Sequence, residues 1–248
     1  MAVNVVLSKD QNAKELYEGS ILERKLVGPA LEKTPLTQYS NILSWSVLTS
    51  EYGFTTPEFA HLGFDIVNFV IRGVYVMYDK SQNKEVHLHQ NDIGLLRLGR
   101  GVRHMEKIFP RSEVLQIWLN SDSKRSEAKK SGIEYKSLAN TEKKELLDDQ
   151  SNLLHFGITE SSIEINDFGA GFHTINIQED SVLSCLVLEG FVEVNNLLLN
   201  KGDFFSIDEV SSFRMASLLN SRLFMTTTPR IMQFQTNWSG YSGKIGNI

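Results

Sequence analysis

The chain has 248 residues, 41% of them hydrophobic and 22% charged, ordinary values for a folded protein with one large core or two smaller ones. Its formal net charge of −5 argues against a general nucleic-acid binder, and no apolar run approaches the roughly 20 residues that span a bilayer. Residues 1–10 lack the basic segment and long apolar stretch of a secretory signal. Cys185 is the single cysteine, which leaves neither an intrachain disulfide nor a cysteine-based zinc site. A reducing, cytoplasmic setting is expected.

In chain order, short β-branched and aromatic runs predict strands over residues 41–49, 66–72, 74–79, 84–89, 93–97 and 114–119. Further strands are predicted over 153–158, 172–177, 182–188, 191–194, 203–207 and 223–228. Turn-forming residues separate them, as in Lys80-Ser81-Gln82-Asn83, a hairpin-loop signal. Regularly spaced short strands imply an all-β fold of barrels or jelly rolls, in which closure removes exposed edges. The polar stretch 121–131, with Lys124, Arg125, Lys129 and Lys130, reads as the start of a linker. Residues 140–150 read as a charged loop or short helix.

An internal repeat divides this series. Val70-Ile71-Arg72-Gly73-Val74-Tyr75-Val76 mirrors Val187-Leu188-Glu189-Gly190-Phe191-Val192-Glu193, with the glycines 117 residues apart. Each copy leads to an Asp-containing turn, at Asp92 and at Asp203. A two-copy pattern means two similar barrels: residues 1–125 are expected to form the first, and residues 126–248 the linker and the second. Counting from the glycines and the turns, Gln178 falls where His61 stands, and Met215 where His104 stands. The second barrel is therefore expected to lack metal ligands, and His173 has no partner there.

Two segments of the first half carry chemistry. They are Phe59-Ala60-His61-Leu62-Gly63-Phe64-Asp65 and Leu98-Gly99-Arg100-Gly101-Val102-Arg103-His104-Met105-Glu106. His104 and Glu106 share one face of a strand, as do Phe59 and His61. All four are expected to converge inside the first barrel. Two imidazoles and a carboxylate suit iron, manganese, nickel, copper or zinc. The residues alone leave an alternative open, a metal-free interior in which Glu106 satisfies the ring of His61.

These segments resemble the two ligand-bearing motifs of the pirin family, double-domain β-barrel proteins of the cupin superfamily. The family motifs read His-x-His-x-Gly-Phe-Glu and Ala-Gly-x-Gly-x-x-His-x-Glu. Residues 115–120, Leu-Gln-Ile-Trp-Leu-Asn, resemble a further family strand. The chain departs from the pattern at Phe59, Ala60, Leu62 and Asp65. The resemblance implies a bicupin of two RmlC-like jelly rolls, with one divalent transition metal (iron foremost) held by His61, His104 and Glu106. Phe59 stands where a fourth ligand would be, so replacing it by His is expected to raise metal content. The implied activity is that of a quercetin 2,3-dioxygenase-like oxidoreductase on a small aromatic, flavonol-like compound, with Glu106 as the catalytic proton acceptor from a phenolic hydroxyl. The alternative is a metal-free small-molecule-binding or regulatory protein. A monomer with a small-molecule ligand, and no direct contact with nucleic acid or membrane, is expected.

His87 and His89 form a His-x-His pair on the strand over 84–89. The opposite face holds Val86 and Leu88, so both histidines should face solvent. Arg97, Arg100 and Arg103 surround the second motif and read as solvated residues with local ion pairs, or as a lure for an anionic ligand. Phe54, Phe64, Phe69 and Trp118 are core candidates. No nucleophile motif or phosphate-binding glycine loop is present, which leaves hydrolase and kinase readings without support.

Overall fold

The computed structural model describes residues 2–11, 13–99, 101–120, 131–137 and 161–231, and the backbone of 151–154. The predicted linker, apart from Ser131, lies outside the described residues. So do the segment 140–150, Arg100 and the later part of the strand predicted over 153–158.

Among the described residues the regular structure is 23 strands and one 3-10 turn at Ser8–Asp10. The fold is all-β, two cupin-type barrels, and each half contributes one large and one small sheet, antiparallel except where Leu36–Thr37 lies parallel to Ile21–Gly28 in the large sheet of the first half. In the first half the large sheet runs Gly132–Ser137, Asp92–Arg97, Phe64–Arg72, Ser112–Asn120, Ile42–Ser50, Ile21–Gly28 and Ala13–Leu16. The small sheet runs Lys84–His89, Val74–Asp79 and Val102–Ile108. The short strands Phe54–Thr55 and Phe59–His61 both lie on Val102–Ile108. In the second half the large sheet runs Ala2–Val6, Phe204–Asp208, Ser181–Glu189, Ser221–Pro229, Ser162–Phe168 and Ser151–Leu154. Its small sheet runs Gly171–Asn176, Ser212–Ser217, Phe191–Val194 and Leu197–Asn200. No helix among the described residues is long and apolar enough to cross a membrane.

Alternation along the strands produces three apolar layers. Ile66, Val70, Tyr75, Met77, Leu88 and Val114 fill the first barrel. Leu183, Cys185, Val187, Phe205, Phe213 and Met215 fill the second. The third layer lies between the two large sheets. There Trp45 sits edge-on to Phe204 at 5.1 Å and to Phe224 at 5.9 Å, and Phe69 meets Phe224 at 5.4 Å. The large sheets are thus buried on both faces, which accounts for the near-continuous apolar character of strands such as Ser181–Glu189.

The repeat is a repeat of joints. Gly73 and Gly190 take φ of +84° and +81°, and a Cβ at either would stand 2.2 Å from Ser112 Oγ or 2.4 Å from Ser221 Oγ. Those two hydroxyls accept the next backbone N–H, from Val74 at 2.9 Å and from Phe191 at 3.0 Å. Asp92 and Asp203 each accept the N–H three residues upstream at 2.8 Å, from His89 and Asn200. Two predicted boundaries differ from what the sheets show. Ala2–Val6 joins the second half by pairing with Phe204–Asp208, and Gly132–Ser137 returns to the first half by pairing with Asp92–Arg97. A cut at residue 125 therefore does not separate the sheets. Each of these strands gains a ladder of backbone hydrogen bonds only across that cut.

Candidate functional site

Val102–Ile108 positions the site. His104 and Glu106 point inward from it, 2% and 8% exposed, while Arg103 and Lys107 point out. Phe59–His61 lies antiparallel to its first residues, with Phe59 opposite His104 and His61 opposite Val102. The four expected residues do converge. Phe59 stacks on His61 with ring centroids 5.5 Å apart and an interplanar angle of 22°, and it lies 6.0 Å from His104. His61 meets the edge of Trp118 at 5.1 Å, and Phe64 lies 5.9 Å from Trp118.

The polar groups form a line rather than a ring around one point. His61 Nδ1 and His104 Nε2 share a hydrogen bond of 2.9 Å. The other nitrogen of His104, Nδ1, lies 3.6 Å from Glu106 Oε1 and is buried without a hydrogen-bond partner. Glu106 Oε2 accepts from Gln116 Nε2 at 3.2 Å, and the same amide lies 3.4 Å from the Tyr75 hydroxyl oxygen. Gln116 is the hub of this floor. Its Nε2 donates to Asn68 Oδ1 at 3.0 Å, and its Oε1 accepts from Trp118 Nε1 at 2.9 Å. One amide thus ties the acidic floor to the aromatic wall.

Burial dominates the electrostatics. It pushes His104 down to about 4, against the pull of Asp79. It also lowers His61, helped by His104. Burial raises Glu106, opposed by the nearby Tyr75 hydroxyl and Gln116 amide. Tyr75 and Tyr17 are raised by burial and then by Glu106, which places Tyr17 in the same electrostatic neighbourhood. The site at neutral pH therefore holds neutral imidazoles and phenols beside a carboxyl that gives up its proton reluctantly.

The expected ligand set His61, His104 and Glu106 is assembled in space, but not as the ligands of one ion. The two nitrogens of an imidazole diverge, and His104 turns one to His61 and the other toward Glu106. A single ion could not receive both. Glu106 is also held from behind by Gln116. Among the described residues no group of three His, Cys, Asp or Glu side chains is disposed to hold a metal ion. The residues present do not fit the three-ligand centre expected from the sequence. The physical reason is direct: the imidazoles satisfy each other, and the Phe59 ring fills the adjoining place.

The remaining candidates fall elsewhere. His87 and His89 are exposed on the outer face of Lys84–His89, and His87 pairs with Glu85 at 2.5 Å. Arg97 is buried in an ion pair with Glu134 at 2.7 Å and lies 3.7 Å from Asp65. Arg103 is exposed and pairs with Glu58. In the second barrel the strand register corrects two equivalences. Ser217 opposite Val192 matches Ile108 opposite Tyr75, so Phe213, not Met215, stands for His104, and Met215 stands for Glu106. Ile175 lies opposite Phe213, and Ile177 donates its N–H to Ser211 O, so Ile177, not Gln178, stands for His61. Every matching position is apolar. His173 caps Gly169 O at 2.8 Å.

No family model matches the sequence. The chain is 29% identical over 126 residues to a pirin-like protein of Solanum lycopersicum, an alignment that covers 50% of this chain and 40% of that protein. The chain thus spans less than half the length of the curated relative it matches. Its fold superposes on the bacterial pirin YhhW of Escherichia coli, solved in complex with nickel(II), with a TM-score of 0.78 at 13% identity. That superposition covers 93% of this chain and 100% of the other. A quercetin 2,3-dioxygenase from Acinetobacter baumannii superposes with a TM-score of 0.65 at 10% identity, over 92% of this chain and 79% of that one. At such identities the solved structures speak for the fold, and the tomato protein is a likeness over half of the chain. The chain has the two-barrel cupin fold of the bacterial pirin, and over half of its length it is similar in sequence to a pirin-like protein.

Proposed function

We propose that the first barrel is a receptor for a small planar aromatic compound bearing a hydroxyl group, and that His61, His104 and Glu106 serve it without holding a metal. The observation that carries this reading is the convergence of the Phe59, His61, His104 and Trp118 rings within 6.0 Å of their neighbours beside the buried carboxyl of Glu106. Apolar walls with a few convergent polar groups are the usual makeup of a small-molecule site. Aromatic rings pack at such distances through offset or edge contacts. In this reading Glu106, held by Gln116, accepts a hydrogen bond or a proton from a phenolic hydroxyl, and the neutral imidazoles supply further donors and acceptors. A cytoplasmic setting belongs to the proposal, supported by the buried, unpaired Cys185.

The experiment is a titration of the full chain with a panel of flavonols and simpler phenols, read by quenching of tryptophan emission, with and without a chelator. Binding that the chelator leaves unchanged and that Trp118→Phe alters supports the reading. Absence of binding, or binding that appears only with added metal, overturns it.

A metal-dependent oxidoreductase of the quercetin 2,3-dioxygenase kind, with iron foremost and manganese, nickel, copper or zinc behind it, is the second reading. The 2.9 Å separation of the His61 and His104 nitrogens favours it, because two imidazoles side by side on one ion at about 2.1 Å each have nitrogens about 3 Å apart. It requires Glu106 to leave Gln116 and come round His104. Oxygen uptake with a flavonol after metal loading tests it.

A further inference from the structure

The outer faces of the two small sheets can be compared residue for residue, because their registers match. In the first barrel one row across the sheet is Thr55, Lys107, Val76 and His87. The corresponding row of the second barrel is Phe172, Ala216, Glu193 and Leu198. Lys107 and His87 are exposed charged and polar groups, as a water-facing sheet requires. Their counterparts are Ala216 and Leu198, with Leu198 55% exposed and Phe172 70% exposed. Phe191, 43% exposed, and Leu218, 51% exposed, extend the same face, joined by the hydrogen bond from Leu218 N to Phe191 O. The inward residues Val192, Val194, Leu199, Phe213 and Met215 already fill the barrel core, so these outward side chains are not needed there. An apolar group of this kind on a sheet face marks an association surface.

The charges on the face say what kind of partner it fits. Glu193 stands in the middle of the apolar row and forms no ion pair among the described residues. Arg214, on the neighbouring strand, has its guanidinium 4.1 Å from the centre of the Phe172 ring and likewise forms no ion pair there. One unpaired acid and one unpaired base, side by side on one apolar face, are self-complementary under a two-fold rotation. We propose that a second copy of this chain docks on the outer sheet of the second barrel, the Arg214 of each copy meeting the Glu193 of the other across Phe172, Leu198, Phe191 and Leu218. Such an isologous contact closes as a dimer and does not propagate. The monomer expected from the sequence is then the dissociated form, and the first barrel with its aromatic site remains free of the contact.

The test is sedimentation velocity of the full chain over a concentration series from low to high micromolar. Wild type is expected to dimerise. The double variant Phe172→Thr with Leu198→His grafts onto the second barrel what the first barrel carries at the same row positions. It is expected to raise the dimer dissociation constant by about tenfold or more, as removal of central aromatic and aliphatic contacts does, with unchanged circular dichroism. Glu193→Arg and Arg214→Glu should each weaken the dimer, and the two together should restore it, an outcome that loss of folding cannot produce. A wild type that is monomeric throughout overturns the proposal, including the cases in which residues 232–248 or an unlike protein cover the face. A dimer indifferent to the graft and to the charge reversals also overturns it, because it uses another surface.

Discussion

Gln116→Met tests the network that holds the site. Methionine approximates the length of glutamine but carries no amide. The substitution strands three groups at once: Glu106 Oε2, Asn68 Oδ1 and Trp118 Nε1, which now bond to Gln116 at 3.2, 3.0 and 2.9 Å. Asn68 is fully buried and Glu106 is 8% exposed, whereas Trp118 is half-buried and can recruit water. A buried polar group left without a partner costs about 1–3 kcal/mol. Two such groups, with a smaller share for Trp118, give a loss of about 3 kcal/mol, partly offset by burying the methionine. Urea unfolding should show a lower midpoint with an unchanged slope, and the tryptophan emission of the folded state should shift as Trp118 loses its acceptor. A loss below about 1 kcal/mol with unchanged emission would refute the claim that Gln116 ties the floor to the wall.

His104 should make stability depend on pH. Its folded value of about 4 lies below the ordinary 6.5, so between those values the unfolded chain binds more protons and stability falls as the solution is acidified. At about 1.4 kcal/mol for each pH unit between the two values, the contribution is at most about 3.5 kcal/mol. The lowered His61 acts in the same direction. The raised Glu106 opposes it, stabilising the fold at low pH and losing that contribution as pH rises through its folded value. The pH dependence of the urea midpoint between 6.5 and 4 should accordingly flatten in His104→Asn, and an unchanged slope would count against the buried neutral imidazole. Gly73→Ala and Gly190→Ala should each destabilise by about 2 kcal/mol or more, because positive φ and the close Ser112 or Ser221 hydroxyl leave no room for a methyl; thermal melts of both variants check that the joints are equivalent. Phe59→His should raise metal content above wild type under matched iron or manganese loading, since it adds a third imidazole beside the His61–His104 pair. An empty variant with an intact fold would mean that the site's loss runs deeper than one residue.

Much of the fold was legible because its signals are local. Val74–Asp79, Lys84–His89 and Phe191–Val194 have the bounds that alternation predicted, and Gly73 and Gly190 sit at matching joints. What had no local signal was long-range pairing. Nothing within Ala2–Val6 says that it will bond to Phe204–Asp208, and the polar stretch after Asn120 gives no hint that Gly132–Ser137 returns to the first sheet. The repeat also misled in detail: the stretch leading to the glycine is one residue longer in the second copy and the stretch after the Asp turn is two residues shorter, so counting residues assigned Gln178 and Met215 where strand pairing assigns Ile177 and Phe213. In the site, period-two alternation placed Phe59, His61, His104 and Glu106 together. It was silent on ring orientation, and orientation decides whether two imidazoles face one ion or each other. Gln116 and Tyr75 lay within quoted segments, yet a buried glutamine or tyrosine reads as packing until its partners are known.

Elemental analysis of the purified wild-type chain, after loading with iron, manganese, nickel, copper or zinc and removal of excess, tests the central claim most directly. With His104 divided between His61 and Glu106, the metal content should stay well below one ion per chain, and the emission-detected affinity for a phenolic ligand should not change with loading. One ion per chain, lost on His104→Ala and on Glu106→Gln in a folded protein, would contradict the account and restore His61, His104 and Glu106 as a metal centre.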